Sequence, residues 1–118
     1  MLDRHAIDGP FLDGQLVSGT RLVEADGQTV VVVHGEIDLA TCDRLWSVVE
    51  AACARSRRVV IDLRETTFMD STGLGVLMRA HRALSASNDV LTVRTVAGST
   101  VRRILEVSGV DRIVKVET

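Results

Sequence analysis

An α/β fold with a mixed, mostly parallel five-stranded sheet and three main helices is predicted by three observations. Apolar runs of strand-like and helix-like period alternate along the chain, a hairpin signal sits near its start, and 118 residues suit a single domain. The order reads strand, strand, then three helix-strand units. Such alternation implies parallel pairing through right-handed crossovers. A chain of this size buries most of its surface without disulfide or metal staples.

Each element has its own local justification. Residues 1–15, with Gly9-Pro10 and Gly14, read as a flexible N-terminal arm, which leaves residues 16–118 as the domain. Leu16 to Glu24 contains the first strand, and Ala25-Asp26-Gly27-Gln28 turns the chain into Thr29-Val30-Val31-Val32-Val33-His34. Asp-Gly between apolar runs is a hairpin signal. The valine run does not alternate with polar residues, so this strand is expected to be central and covered on both faces. From Leu39 to about Arg55, Cys42, Leu45, Trp46, Val49, Ala52 and Cys53 fall on one helical stripe. Trp46 lies within that stripe and is expected to pack in the core. Arg58 to Leu63 is a short apolar strand, and Leu74, Leu77, Met78 and Leu84 mark a second helix from about Ser71 to Ser87. Asn88-Asp89 turns into the β-rich run Val90 to Val96. Ala97-Gly98-Ser99 then opens a short helix with Val101, Ile104, Leu105 and Ser108 along one side, which Gly109 ends. Asp111 to Val116 is the last strand.

Composition narrows the function. Apolar content of 46% and charged content of 25% are those of a soluble globular protein, and a net charge of −2 argues against a nucleic-acid binder. The first residues mix charges among apolar side chains, and no run approaches membrane-spanning length, so the expected location is cytoplasmic and off the membrane. Cys42 and Cys53 stand in one helix about 16 Å apart along its axis. They cannot pair within the chain and are expected to be buried small apolar residues. Two distant thiols and the scattered His5, His34 and His81 do not make a metal site, and no cofactor is expected.

The most informative stretch is Phe68-Met69-Asp70-Ser71-Thr72-Gly73-Leu74-Gly75-Val76-Leu77, where an apolar strand hands over to a helix. Backbone N–H groups at a helix start have no partner within the helix, and the peptide dipoles add roughly half a positive charge there. A hydroxyl at that point can cap the helix or receive a phosphate, and capping alone leaves both open. Catalytic readings fare worse. Gly73-Leu74-Gly75 is two thirds of a dinucleotide fingerprint, but Met78 stands where the third small residue belongs. No phosphate-cradling loop ends in Gly-Lys-Ser or Gly-Lys-Thr, since the sole lysine is Lys115. Ser71 has Met69 where a nucleophile elbow needs glycine. No catalytic residue is assigned.

This stretch closely resembles the signature of bacterial anti-sigma factor antagonists, the family that defines the STAS domain. Two further segments agree with it: Val33-His34-Gly35-Glu36-Ile37-Asp38-Leu39-Ala40-Thr41 resembles the family's Gly-Glu-(Leu/Ile)-Asp element, and Ile104-Leu105-Glu106-Val107-Ser108-Gly109-Val110 its last helix and exit. The resemblance runs in order from about Leu16 to the C-terminus, and it implies the STAS (SpoIIAA-like) version of the α/β fold. It also implies a protein that binds an anti-sigma factor, often a serine kinase of the histidine-kinase-like ATPase fold, and so frees a sigma factor. Phosphorylation on the serine directly after the aspartate, here Ser71 with Thr72 as the lesser alternative, reverses this, and a metal-dependent serine phosphatase resets the cycle. The chain would be a substrate of enzymes and not an enzyme, acting as a monomer or weak dimer.

The partner-binding set implied by the resemblance and by position is Asp38, Thr41, Asp70, Ser71, Thr72, Gly73, Leu74, Gly75 and Arg79. Asp38 and Thr41 also read as an N-cap and first-turn pair. Gly35 and Gly73 would permit tight turns or close approach, and Gly75 costs about 1 kcal/mol within a helix unless something packs against it. Arg79, Arg82, Arg102 and Arg103 are expected on solvated faces, with Arg79 the best placed for an interface. Phosphate at a helix N-terminus should leave the fold intact and act at the docking surface. A non-switching STAS adaptor or scaffold, such as a stressosome-like assembly or a lipid-transporter accessory subunit, is the alternative. A small nucleotide-binding or hydrolytic enzyme is the third class.

Overall fold

The structure is a computed structural model that describes residues 19–118. The expected arm of residues 1–15 and the start of the domain at residues 16–18 lie outside the described residues. Strands β1 (Thr20–Ala25) and β2 (Gln28–Ile37) form an antiparallel hairpin closed by Asp26 and Gly27, both at positive φ, 54° and 78°. That pair of left-handed residues matches the twist of the flanking strands, which is why Asp-Gly stands there. Helix α1 (Cys42–Arg55), β3 (Arg58–Met69), α2 (Ser71–Ser85), β4 (Val90–Arg94), α3 (Thr100–Ser108) and β5 (Lys115–Glu117) follow.

The sheet order is β1-β2-β3-β4-β5, with every neighbour after the hairpin parallel. Each helix therefore carries the chain one strand further in the same direction. Crossovers of one hand that all step one way lay their helices on one face of the sheet. The main core shows this: Val31, Val33, Val59, Ile61, Leu63 and Val93 from the strands pack with Leu45, Val49, Val76, Leu77, Val101 and Leu105 from the three helices. The alternate strand residues Val30, Val32 and Val60 form a second small cluster with Val23, built from strands alone.

Several expectations need correction. The valine strand is buried on both faces, but β3 holds the centre, because the hairpin puts β1 outside β2. Strand β3 runs to Met69, well past Leu63, and register shifts between Val32 and His34 and between Gly35 and Glu36 show two extra residues on its side of the ladder. Such bulges re-aim side chains near a strand end. Here they turn Met69 into the core and leave Phe68 45% exposed. The stretch expected as a last strand from Asp111 opens instead with a 3-10 turn, Val110–Arg112, in which Ile113 and Val114 both donate to the Val110 carbonyl. Val110 and Val114 are both buried, and the bonds between them close locally on the Val110 carbonyl instead of on a neighbouring strand. Cys42 and Cys53 are free and half-buried rather than fully buried. Burial and the nearby Glu50 push the Cys53 thiol up to about 11, so it stays protonated near neutrality.

Among the described residues no helix is long and apolar enough to cross a membrane.

Candidate functional site

The parallel pairing of β2 and β3 brings their C-terminal ends together. Ile37 lies opposite Met69, and the Asp70 N–H donates to the Ile37 carbonyl at 3.1 Å. The loop after β2 and the start of α2 therefore emerge side by side, at the strand ends where α/β sheets commonly place their sites. Gly73 tightens this corner. It is buried, and a Cβ there would fall 2.3 Å from Met69 Cγ and 3.0 Å from Ile37 Cγ2, so any side chain at residue 73 would have to displace Met69 for α2 to start this close to the two strand ends.

Asp70 is the N-cap of α2. Its Oδ1 accepts the Thr72 N–H at 2.9 Å and also the Thr72 hydroxyl. These bonds, the hydroxyl first, hold the Asp70 carboxyl below its ordinary range, so it is ionised near neutrality. Ser71, the first residue of α2, is exposed, and its hydroxyl makes no hydrogen bond among the described residues. Of the two hydroxyls singled out in the sequence, Thr72 is tied into the cap and half-buried, whereas Ser71 is open.

Asp38 and Thr41 form a closed turn of their own. Asp38 Oδ1 accepts from the Ala40 and Thr41 N–H groups at 3.0 and 3.1 Å, and Thr41 Oγ1 accepts from the Asp38 N–H at 3.0 Å. The Thr41 hydroxyl can also donate to the Glu36 carbonyl at 3.1 Å, which fastens the turn to the end of β2. Asp38 is thus not the cap of a helix that begins at Leu39. It heads a preceding turn, and α1 starts at Cys42 with Thr41 as the boundary residue. The reciprocal bonding resembles a capping box and fixes the loop beside Ser71.

The rest of the expected set lies around Ser71. Gly75, one turn further along α2, is exposed, and nothing lies within 4 Å of where its Cβ would be. Neither a strand nor another helix uses that gap. Leu74 is half-buried and lines an apolar groove with Ile104, Val107, Arg103 and Ser108 of α3. Val107 is 78% exposed and Leu39, in the loop, 77%. Neither belongs to a helical or strand stripe, so only their apolar character at otherwise polar positions marks them in the sequence. Arg79 lays its guanidinium over the Trp46 ring, 4.2 Å from the centroid, and so ties α2 to α1. Trp46 is half-buried against the core, on whose outer side it carries that cation. An exposed cation-π contact contributes about 0.5–1 kcal/mol. Arg79→Ala should lower stability by that amount in urea unfolding and shift the fluorescence of Trp46, the only tryptophan in the chain. Arg102, expected to be solvated, instead donates to Glu106 at 3.1 Å and reaches Thr95 at 3.4 Å. Arg82 and Arg103 are exposed. Among the described residues no group of three or more His, Cys, Asp or Glu side chains could hold a metal ion.

A sheet of this order with three helices on one face is a fold that known proteins share. The STAS family model described as "Mlab, STAS domain" matches residues 20–115. The chain belongs to the STAS domain family. An anti-sigma-B factor antagonist of Listeria monocytogenes is 31% identical over 88 residues, 74% of this chain and 76% of that protein. The crystal structure of an anti-sigma factor antagonist from Mycobacterium paratuberculosis superposes with a TM-score of 0.76 at 30% identity, covering 83% of each chain. Unphosphorylated SpoIIAA, also an anti-sigma factor antagonist, shares the fold with a TM-score of 0.69 at 20% identity, over 84% of this chain and 88% of its own. Within the STAS domains, the chain falls in the anti-sigma factor antagonist family, and its fold is like that of SpoIIAA.

Proposed function

We propose that this protein is a phosphorylation-controlled anti-sigma factor antagonist: unphosphorylated, it binds an anti-sigma factor of the serine-kinase fold and releases a sigma factor, and phosphate on Ser71 ends that binding. One observation carries the reading: Ser71 is exposed at the start of α2, its hydroxyl unbonded among the described residues, beside the closed Asp38–Thr41 turn. The kinase-fold partner would add the phosphate and a metal-dependent serine phosphatase remove it, with the chain itself a monomer or weak dimer and no enzyme. The docking surface comprises Asp38, Thr41, Asp70, Ser71, Thr72, Gly73, Leu74, Gly75 and Arg79. Gly75 leaves room for close approach, and the groove of Leu74, Ile104 and Val107 offers apolar area next to the switch.

Phosphate brings about −1.5 to −2 charges to this corner. The dipole of α2 stabilises that charge locally and the Ser71 hydroxyl serves no hydrogen bond among the described residues, so the fold should persist while docking is lost to desolvation and repulsion. A second reading, a constitutive adaptor, draws on the family model, whose description names Mlab and not sigma-factor control.

Mixing the protein with ATP and the kinase-fold anti-sigma factor of the same genome separates the two. A switch predicts phosphate on Ser71, none on Ser71→Ala, and affinity at least about tenfold lower for Ser71→Asp, a loss of about 1.4 kcal/mol. Unphosphorylated Ser71 with unchanged binding by Ser71→Asp would favour the adaptor.

A further inference from the structure

We propose that Asp70 makes the two adjacent hydroxyls of this junction inequivalent, locking Thr72 into the cap of α2 so that only Ser71 can carry a phosphate without loss of structure. The inference rests on the reading of Ser71 as the acceptor and adds the residue that keeps modification there. Both hydroxyls lie at the same helix start, so position alone does not choose between them. Their bonding does. The Thr72 N–H and hydroxyl both donate to Asp70 Oδ1, and Thr72 is half-buried, whereas the Ser71 hydroxyl is exposed and donates to nothing among the described residues.

Phosphoryl transfer from ATP forms a bond between the hydroxyl oxygen and the γ-phosphorus, breaks the bond from that phosphorus to ADP, and releases the hydroxyl proton. At Ser71 the proton lost serves no bond. At Thr72 it is the donor that Asp70 uses, and the new dianion would face a carboxylate already held ionised. The cap would have to open. Asp70 also joins α2 to the end of β2 through its N–H bond to the Ile37 carbonyl, so an opened cap would loosen the corner that presents Ser71.

The test uses the full chain with phosphoserine at 71 or phosphothreonine at 72, each installed by nonsense suppression, and reads thermal midpoints and amide exchange in the first turn of α2. Phosphate at 71 should leave the midpoint within about 2 °C of the unmodified chain, and phosphate at 72 should lower it by about 4–8 °C, the shift expected for a lost cap in a domain this size. Exchange in that first turn should quicken about tenfold for the second form only. Thr72→Ser should keep the unmodified midpoint and Thr72→Val lower it. In Asp70→Ala the gap between the two phosphorylated forms should close. Equal midpoints in the wild-type background, or a gap that survives Asp70→Ala, would overturn the proposal. No partner enters this experiment: failure of Ser71 as a switch would appear as unaltered anti-sigma factor binding and would leave these midpoints as they are.

Discussion

Gly73→Ala is expected to lower the unfolding free energy by about 1–2 kcal/mol, while Gly75→Ala, two residues along the same helix, is expected to raise it by up to about 1 kcal/mol. Both changes gain the same helix propensity, so the difference isolates packing. At residue 73 the added methyl would meet Met69 Cγ at 2.3 Å and Sδ at 2.7 Å. Met69 is 1% exposed and packed in the main core, so moving it disturbs its core neighbours. Overpacking of this kind costs about 1–3 kcal/mol, more than the propensity returns. At residue 75 there is nothing to meet, and the propensity gain stands alone.

If Gly75 is kept bare for a partner, Gly75→Ala should also weaken anti-sigma factor binding, by about fivefold or more, in a protein that has become more stable. Urea unfolding and a titration with the partner read the two quantities separately. A stabilised variant that binds as before would remove Gly75 from the docking surface, and a Gly73→Ala protein as stable as wild type would show that Met69 repacks.

Features fixed by local chemistry were legible in the sequence. Asp26-Gly27 sets the hairpin, Ser99 caps α3 by accepting the Arg102 N–H at 3.1 Å, and Gly109 ends that helix at φ 82°. Asp70-Ser71-Thr72 marks the start of α2 for the same reason. What depends on partners distant in sequence was not legible. The second half of β3, Arg64-Glu65-Thr66-Thr67, has no strand-like apolar pattern. It is strand because β2 pairs with it and because the Thr66 hydroxyl donates to the Val33 carbonyl at 2.9 Å. The stacking of Arg79 on Trp46 joins two helices, and helical spacing places each residue only on its own helix. At the site, the motif pointed to both Ser71 and Thr72, and only the bonding to Asp70 tells them apart.

Asp62 depends in part on a distant partner in the same way: in Val59-Val60-Ile61-Asp62-Leu63 one carboxylate interrupts an apolar strand, and such a group must find a cation or leave the sheet. It is 4% exposed and finds two. Arg64 grips it with Nε at 3.0 Å from Oδ1 and Nη2 at 2.8 Å from Oδ2, its backbone N–H adds a bond at 3.0 Å, and Arg94 stands 3.9 Å away while also holding Glu117 of β5. Burial pushes the Asp62 carboxyl upward, but the Arg64 hydrogen bonds and the charges of Arg64 and Arg94 outweigh it and hold the group below the usual range.

Asp62→Ala is therefore expected to cost about 2 kcal/mol at neutral pH, within the range for hydrogen bonds to charged groups. The loss stays below that of a fully buried pair, because the Arg64 side chain is 52% exposed and can rehydrate. Since the folded group titrates lower than the unfolded one, the stabilisation is fully present above the ordinary carboxylate value of about 4 and disappears as pH falls through the depressed folded value. The gap between wild type and Asp62→Ala in urea unfolding should be constant from neutrality down to about pH 5, then close in more acid solution. A gap that keeps its full size at pH 2 would mean that the alanine variant loses packing and not a charge. Asp62→Asn, which keeps the shape, would then match wild type at every pH.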